Sequence, residues 1–174
     1  MKKIIVLLFA LGIAPFLFAQ QNKKPVSDIP LQEQLRGTWT LVSVDNIYPD
    51  SSRVHPYGEA PAGMLLFDAQ GNYAIQILRA IRPKIVSGDK NKCTPEENAM
   101  MVQGSNSHFG KYQADETNKT ITFHIAHASF PNWEGTVQTR SYTYTGNEIT
   151  YVVNHTTQGG QSVIAEVVWK RLHK

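Results

Sequence analysis

TVQTRSYTYTGNEITYVVNH, residues 136–155, reads as two strands folded back on one another. TVQTRSYTY at 136–144 and EITYVVNH at 148–155 are dense in Val, Ile, Thr and Tyr, and Gly146-Asn147 places a two-residue turn signal between them. β-Branched and aromatic side chains suit a pleated, half-buried surface, and a turn containing Gly and Asn accepts the backbone angles of a tight hairpin. Strand alternation puts Gln138, Arg140, Tyr142 and Tyr144 on one face and Val137, Thr139, Ser141 and Thr143 on the other.

The same texture continues outward. TWTLVSV at 38–44, GMLLFD at 63–68, NYAIQILR at 72–79, HFGKYQAD at 108–115, TITFHIAHA at 120–128 and SVIAEVVWKRL at 162–172 complete a set of eight predicted strands. DAQGN at 68–72 and DETNK at 115–119 are hairpin-like, and Gly159-Gly160 gives permissive backbone before the last strand. Eight strands joined mainly by brief turns predict an all-β, antiparallel sheet, which either closes into a barrel or splits into a sandwich. Closure removes the unpaired edges, and an eight-stranded barrel is filled by its own side chains or encloses one small ligand. A membrane barrel is disfavoured, since the repeated aromatic girdles of that class are missing from the sequence.

One stretch breaks the rhythm. TPEENAMMV at 94–102 sets Thr94 as a helix N-cap, Pro95 at the first helical position and Glu97 three residues after the cap. This capping box predicts a short helix, with Met100, Met101 and Val102 as an apolar side that should cover something. The connection from 80 to 107 is long for a hairpin, a length that usually belongs to lids or binding loops. LQEQL at 31–35 allows one helical turn.

Ahead of the strands, Lys2 and Lys3 precede an apolar run ending at Ala19, the form of a secretory signal at 1–19, followed by a polar, flexible leader at 20–30 and a folded domain at 31–174. A periplasmic or secreted location is therefore expected. Without 1–19 the chain carries 15 basic against 14 acidic residues, too balanced for a nucleic-acid footprint. With no long apolar segment after the signal, no stable membrane insertion is expected of the cleaved chain. The single cysteine, Cys93, excludes an internal disulfide and a multi-cysteine metal site. Charged residues make up 18% against 41% hydrophobic, a composition that folds.

A barrel end needs a plug where strands crowd. Trp39 has the area for it, and the Arg171 guanidinium can lie on the indole face while its donors reach nearby carbonyls. Gly37-Thr38-Trp39 matches the G-x-W signature of lipocalins, and Arg171 sits where lipocalins carry an arginine against that tryptophan. LRGTWTLVSV at 35–44, YGEAPAGMLLFDAQGNYAIQI at 57–77, HFGKYQADE at 108–116, FPNWEG within 130–144 and AEVVWKRL at 165–172 together resemble the bacterial and fungal lipocalin-like domain family. The resemblance implies an eight-stranded antiparallel lipocalin-like barrel, here with a short helix inserted between strands. It departs from ordinary lipocalins in the 80–107 segment and in lacking a helix signal after the last strand, so retinoid- or pheromone-carrier roles do not carry over.

The expected function is binding of one small, largely apolar molecule with an acidic or polar head. Arg140, with Tyr142 and Tyr144 on its face, is the leading candidate to meet that head. Tyr73 and Arg79 share a face of 72–79, and Trp133 in FPNWEG either closes a barrel mouth or anchors its loop. His124 faces the cavity or solvent according to strand phase, with His127 opposite unless the strand bulges. His108, Tyr112 and Tyr151 complete the polar inventory. No metal-ligand spacing and no nucleophile-base-orienter spacing occurs, so no cofactor, metal or catalytic residue is expected. Two other readings stay open: a cofactor-free isomerase- or cyclase-like enzyme on a hydrophobic metabolite, and an envelope interaction domain with a filled core.

Overall fold

Alternation of buried and exposed residues along each β-rich run fixes one face inward, and the computed structural model shows how those faces meet. It describes residues 29–158 and 160–172, so the expected signal and most of the leader lie outside the described residues. The order is α1 (Leu31–Leu35), β1 (Gly37–Ile47), β2 (Arg53–Val54), β3 (Ala62–Phe67), β4 (Asn72–Leu78), α2 (Pro95–Gln103), β5 (Ser105–Asp115), β6 (Thr120–Ala128), β7 (Val137–Tyr144), β8 (Glu148–Gln158) and β9 (Gln161–Arg171). β1 and β3 to β9 pair antiparallel in succession, and β9 returns to β1 from Trp39↔Arg171 to Ile47↔Ile164. The eight long strands therefore close into a barrel, not a sandwich.

β2 has no counterpart among the predicted strands. It is two exposed residues laid beside the end of β1, held by the Arg53 guanidinium, which donates to Asp45 Oδ2 and Glu166 Oε1 at 2.8 Å each. So short an element leaves no periodicity in a sequence.

One end of the barrel is shut. Leu31 and Leu35 of α1 are buried, Trp39 Nε1 donates to the Leu35 carbonyl at 2.9 Å, and Tyr112 Oη donates to that of Gln32 at 3.1 Å. The Arg171 guanidinium lies 4.1 Å from the Trp39 ring centroid and donates to the carbonyls of Gln34, Arg36 and Gly146. One side chain thus ties α1 and the β7–β8 turn across the indole. Gly37 turns the chain into β1 at φ +118°, a conformation that L side chains rarely adopt.

At the opposite end lie the β4–β5 connection with α2 and the β6–β7 loop. The capping box forms as the sequence predicts: Glu97 N donates to Thr94 Oγ1 and Thr94 N to Glu97 Oε2. The expected apolar cover does not form. Met100 and Val102 are exposed, Met101 is only half-buried, and the residue α2 buries is Glu97, whose Oε1 accepts from the Val86 amide at 2.9 Å. The helix anchors its own connection instead of roofing a core.

Candidate functional site

The closed half of the interior is filled with large rings and the other half with smaller side chains. Trp39, Phe67, Tyr112 and Trp169 are fully buried toward α1, whereas Val44, Ile75, Ile77 and Ile125 line the half toward the mouth. Between them sits a polar cluster drawn from three strands: Tyr73 of β4, His108 of β5 and Arg140 of β7, all buried. Tyr73 Oη and His108 Nδ1 are 2.8 Å apart, and Arg140 Nη2 is 3.5 Å from His108 Nε2.

A guanidinium can only donate, so the imidazole nitrogen facing it presents a lone pair. The His108 proton then sits on Nδ1 and is donated to Tyr73 Oη, which turns the tyrosine's own O–H away from the histidine. Burial, reinforced by the Arg140 charge, lowers the His108 pKa to about 3 and keeps the ring neutral. Burial likewise pushes the Tyr73 hydroxyl well above its ordinary range, so it stays protonated.

Arg140 is a buried cation with no counter-charge among the described residues. Its Nη2 donates to Gln138 Oε1 at 2.9 Å, and its Cζ lies 4.7 Å from both the Phe123 and Tyr151 ring centroids. Among the described residues no carboxylate pairs with it, and its Nε has no hydrogen-bond partner. Two desolvated cation–π contacts contribute about 2 kcal/mol each at best, against several kcal/mol for removing the ion from water. The Nε–H is the guanidinium donor left without an acceptor among the described residues.

The other expected residues divide around this cluster. Trp133 is half-buried in a short 3-10 turn, its ring edge-on to His108 at 5.8 Å, so it stands over the cluster on the mouth side. Tyr142 and Tyr144 share the inward face of β7 with Arg140 but lie toward the shut end; Tyr144 packs against Trp39 and accepts from Arg171. Arg79 is half-buried at the mouth and donates to the Pro56 carbonyl at 3.2 Å. His124 is on the outer wall, because Ile121, Phe123 and Ile125 take the interior. A bulge at Ala126, between Phe109↔His127 and Gly110↔Ile125, also turns His127 outward. Gly110 is required there: a Cβ would collide with the His124 carbonyl. Gln138 as the nearer side-chain acceptor for Arg140, and Tyr57 at the mouth beside Asn106, carry no motif that marks them in the sequence.

No cluster of three or more His, Cys, Asp or Glu side chains suited to a metal occurs among the described residues. Residues 36–172, most of the chain, match the sequence model of the lipocalin-like domain family. No curated protein matches the chain.

Proposed function

The chain belongs to the lipocalin-like domain family, and from that premise we propose that it is an exported protein whose barrel binds one small, largely apolar molecule with an acidic or strongly polar, acceptor-rich head. The observation that carries this is Arg140, buried, with no carboxylate partner among the described residues and with an unpartnered Nε. A carboxylate or comparable oxyanion supplies the acceptor the site lacks, and Tyr73 O–H is a second donor facing the same need. The head then lies against Arg140 and the apolar part against Ile75, Ile77 and Ile125 toward the mouth, beneath Trp133. Export rests on the basic, apolar and small residues of 1–19, and intact-mass measurement of fractionated native protein should find a chain starting near Gln20; full-length protein held in the cytoplasm would reject it.

A cofactor-free catalyst is the second reading, favoured by the short Tyr73–His108 hydrogen bond beside a cation. Incubating the purified chain with a mixed metabolite extract, then identifying retained and altered molecules by mass spectrometry, separates the two. Retention of acidic, apolar molecules without turnover supports binding, and turnover supports catalysis. An empty barrel across broad extracts contradicts both and leaves a filled-core interaction domain.

A further inference from the structure

The mouth of the barrel carries side chains that a soluble surface does not need. Ile81 is 84% exposed, Val86 95% and Val102 74%, and Phe130 of the neighbouring β6–β7 loop is 50% exposed. Singly exposed apolar residues are ordinary; four at one end of a barrel, three of them nearly bare, are not. They are held out by structure. Arg79 N donates to the Gly104 carbonyl, Ala80 N to that of Tyr57, and Val86 N to buried Glu97, so the segment between is pinned at both ends. Ser129 N donates to the Ser107 carbonyl and Ser107 N to Ser129 Oγ, which fixes the Phe130 loop beside it. Residues 80–92 carry four basic residues against one acidic, and Arg82 and Lys84, both exposed, stand between Ile81 and Val86.

We propose that this mouth docks on an anionic phospholipid bilayer. Separate aliphatic tips alternating with cations fit a headgroup layer, where each tip sinks among acyl chains while the neighbouring charge stays at the phosphates. A protein partner asks instead for a contiguous apolar face, whereas in this loop the exposed Arg82 and Lys84 interrupt the run from Ile81 to Val86. Docking in this orientation would set the end of the barrel opposite α1 against the membrane. The inference is independent of the reading of Arg140, since none of its residues touches that cluster.

The test is cosedimentation of the chain from Gln20 onward with vesicles of phosphatidylglycerol mixed with phosphatidylcholine, and with vesicles of phosphatidylcholine alone. Binding to the anionic vesicles is expected, weakening with added salt. Arg82→Gln with Lys84→Gln should weaken it about 25-fold, roughly fivefold for each charge. Ile81→Ser with Val86→Ser should weaken it at least about tenfold. Met64→Ser with Leu66→Ser, exposed on the outer wall, should leave it unchanged. Absence of binding at low salt, or loop variants that bind like the parent, overturns the proposal. Concentration-dependent dimerisation lost in the Ile81 and Val86 variant also overturns it, by assigning the surface to a second copy.

Discussion

His108 and Arg140 divide one problem between them: two basic groups share a buried interior, and the imidazole is the one kept neutral. Burial first, and the Arg140 charge second, bring the His108 pKa down to about 3, while in the unfolded chain the same ring takes its proton near 6.5. Between those values the unfolded state holds more protons, so stability falls as pH falls across that window and is fully retained above it. The slope for this one group is up to about 1.4 kcal/mol per pH unit. Hydrogen bonds from Ser52, Asn72 and Asn118 hold the carboxyls of Asp50, Asp68 and Asp115 below their ordinary range, so their contribution is lost only as pH falls through the acid region beneath it. Urea melts of the parent and of His108→Asn between pH 6.5 and 5 therefore isolate the contribution of this imidazole. The slope there should flatten in His108→Asn; an unchanged slope would show that the ring is not held neutral. The sequence made Arg140 and Tyr73 legible as inward candidates because each lies on an alternating strand face. Their meeting was not legible, since Tyr73, His108 and Arg140 come from three strands whose register is set by pairing around the whole barrel.

Among the elements, the strands are legible because most are runs of β-formers bordered on at least one side by Gly, Asn or Asp, and those signals are local. What the sequence left out or open has a nonlocal or very short cause: β2 is two residues, the bulge at Ala126, one of two phases the sequence allows, depends on a glycine in the facing strand, and α2 buries a carboxylate where an apolar side is expected. The shut end was legible from Trp39 and Arg171, and it makes a quantitative demand on α1. Trp39→Ala removes a fully buried indole and its bond to Leu35, and should cost about 3–5 kcal/mol. Arg171→Met removes the cation over that ring and the ties to Gln34, Arg36 and Gly146. The losses should fall short of additive in the double variant by about 0.5–2 kcal/mol, the worth of the shared contact. Denaturant melts of the three variants give the coupling, and strict additivity would mean that the guanidinium ties the loops without bracing the indole.

Taken as one molecule, the barrel places an aromatic plug at one end, aliphatic walls at the other, and an unneutralised guanidinium where they meet. A cation kept in that position at a cost in folding stability is the central point from which ligand binding is argued. It is tested most directly with a matched pair of probes, anilinonaphthalene sulfonate and its uncharged parent N-phenylnaphthylamine, titrated by fluorescence into the wild-type chain and Arg140→Met. Losing a charge-assisted bond should weaken the sulfonate by about 1.5–3 kcal/mol, roughly 10- to 150-fold, while the neutral probe, held by the same apolar walls, changes by less than about threefold. Equal affinities of the two proteins for both probes, with Arg140→Met folded, would contradict the assignment of Arg140 to the head of a bound ligand.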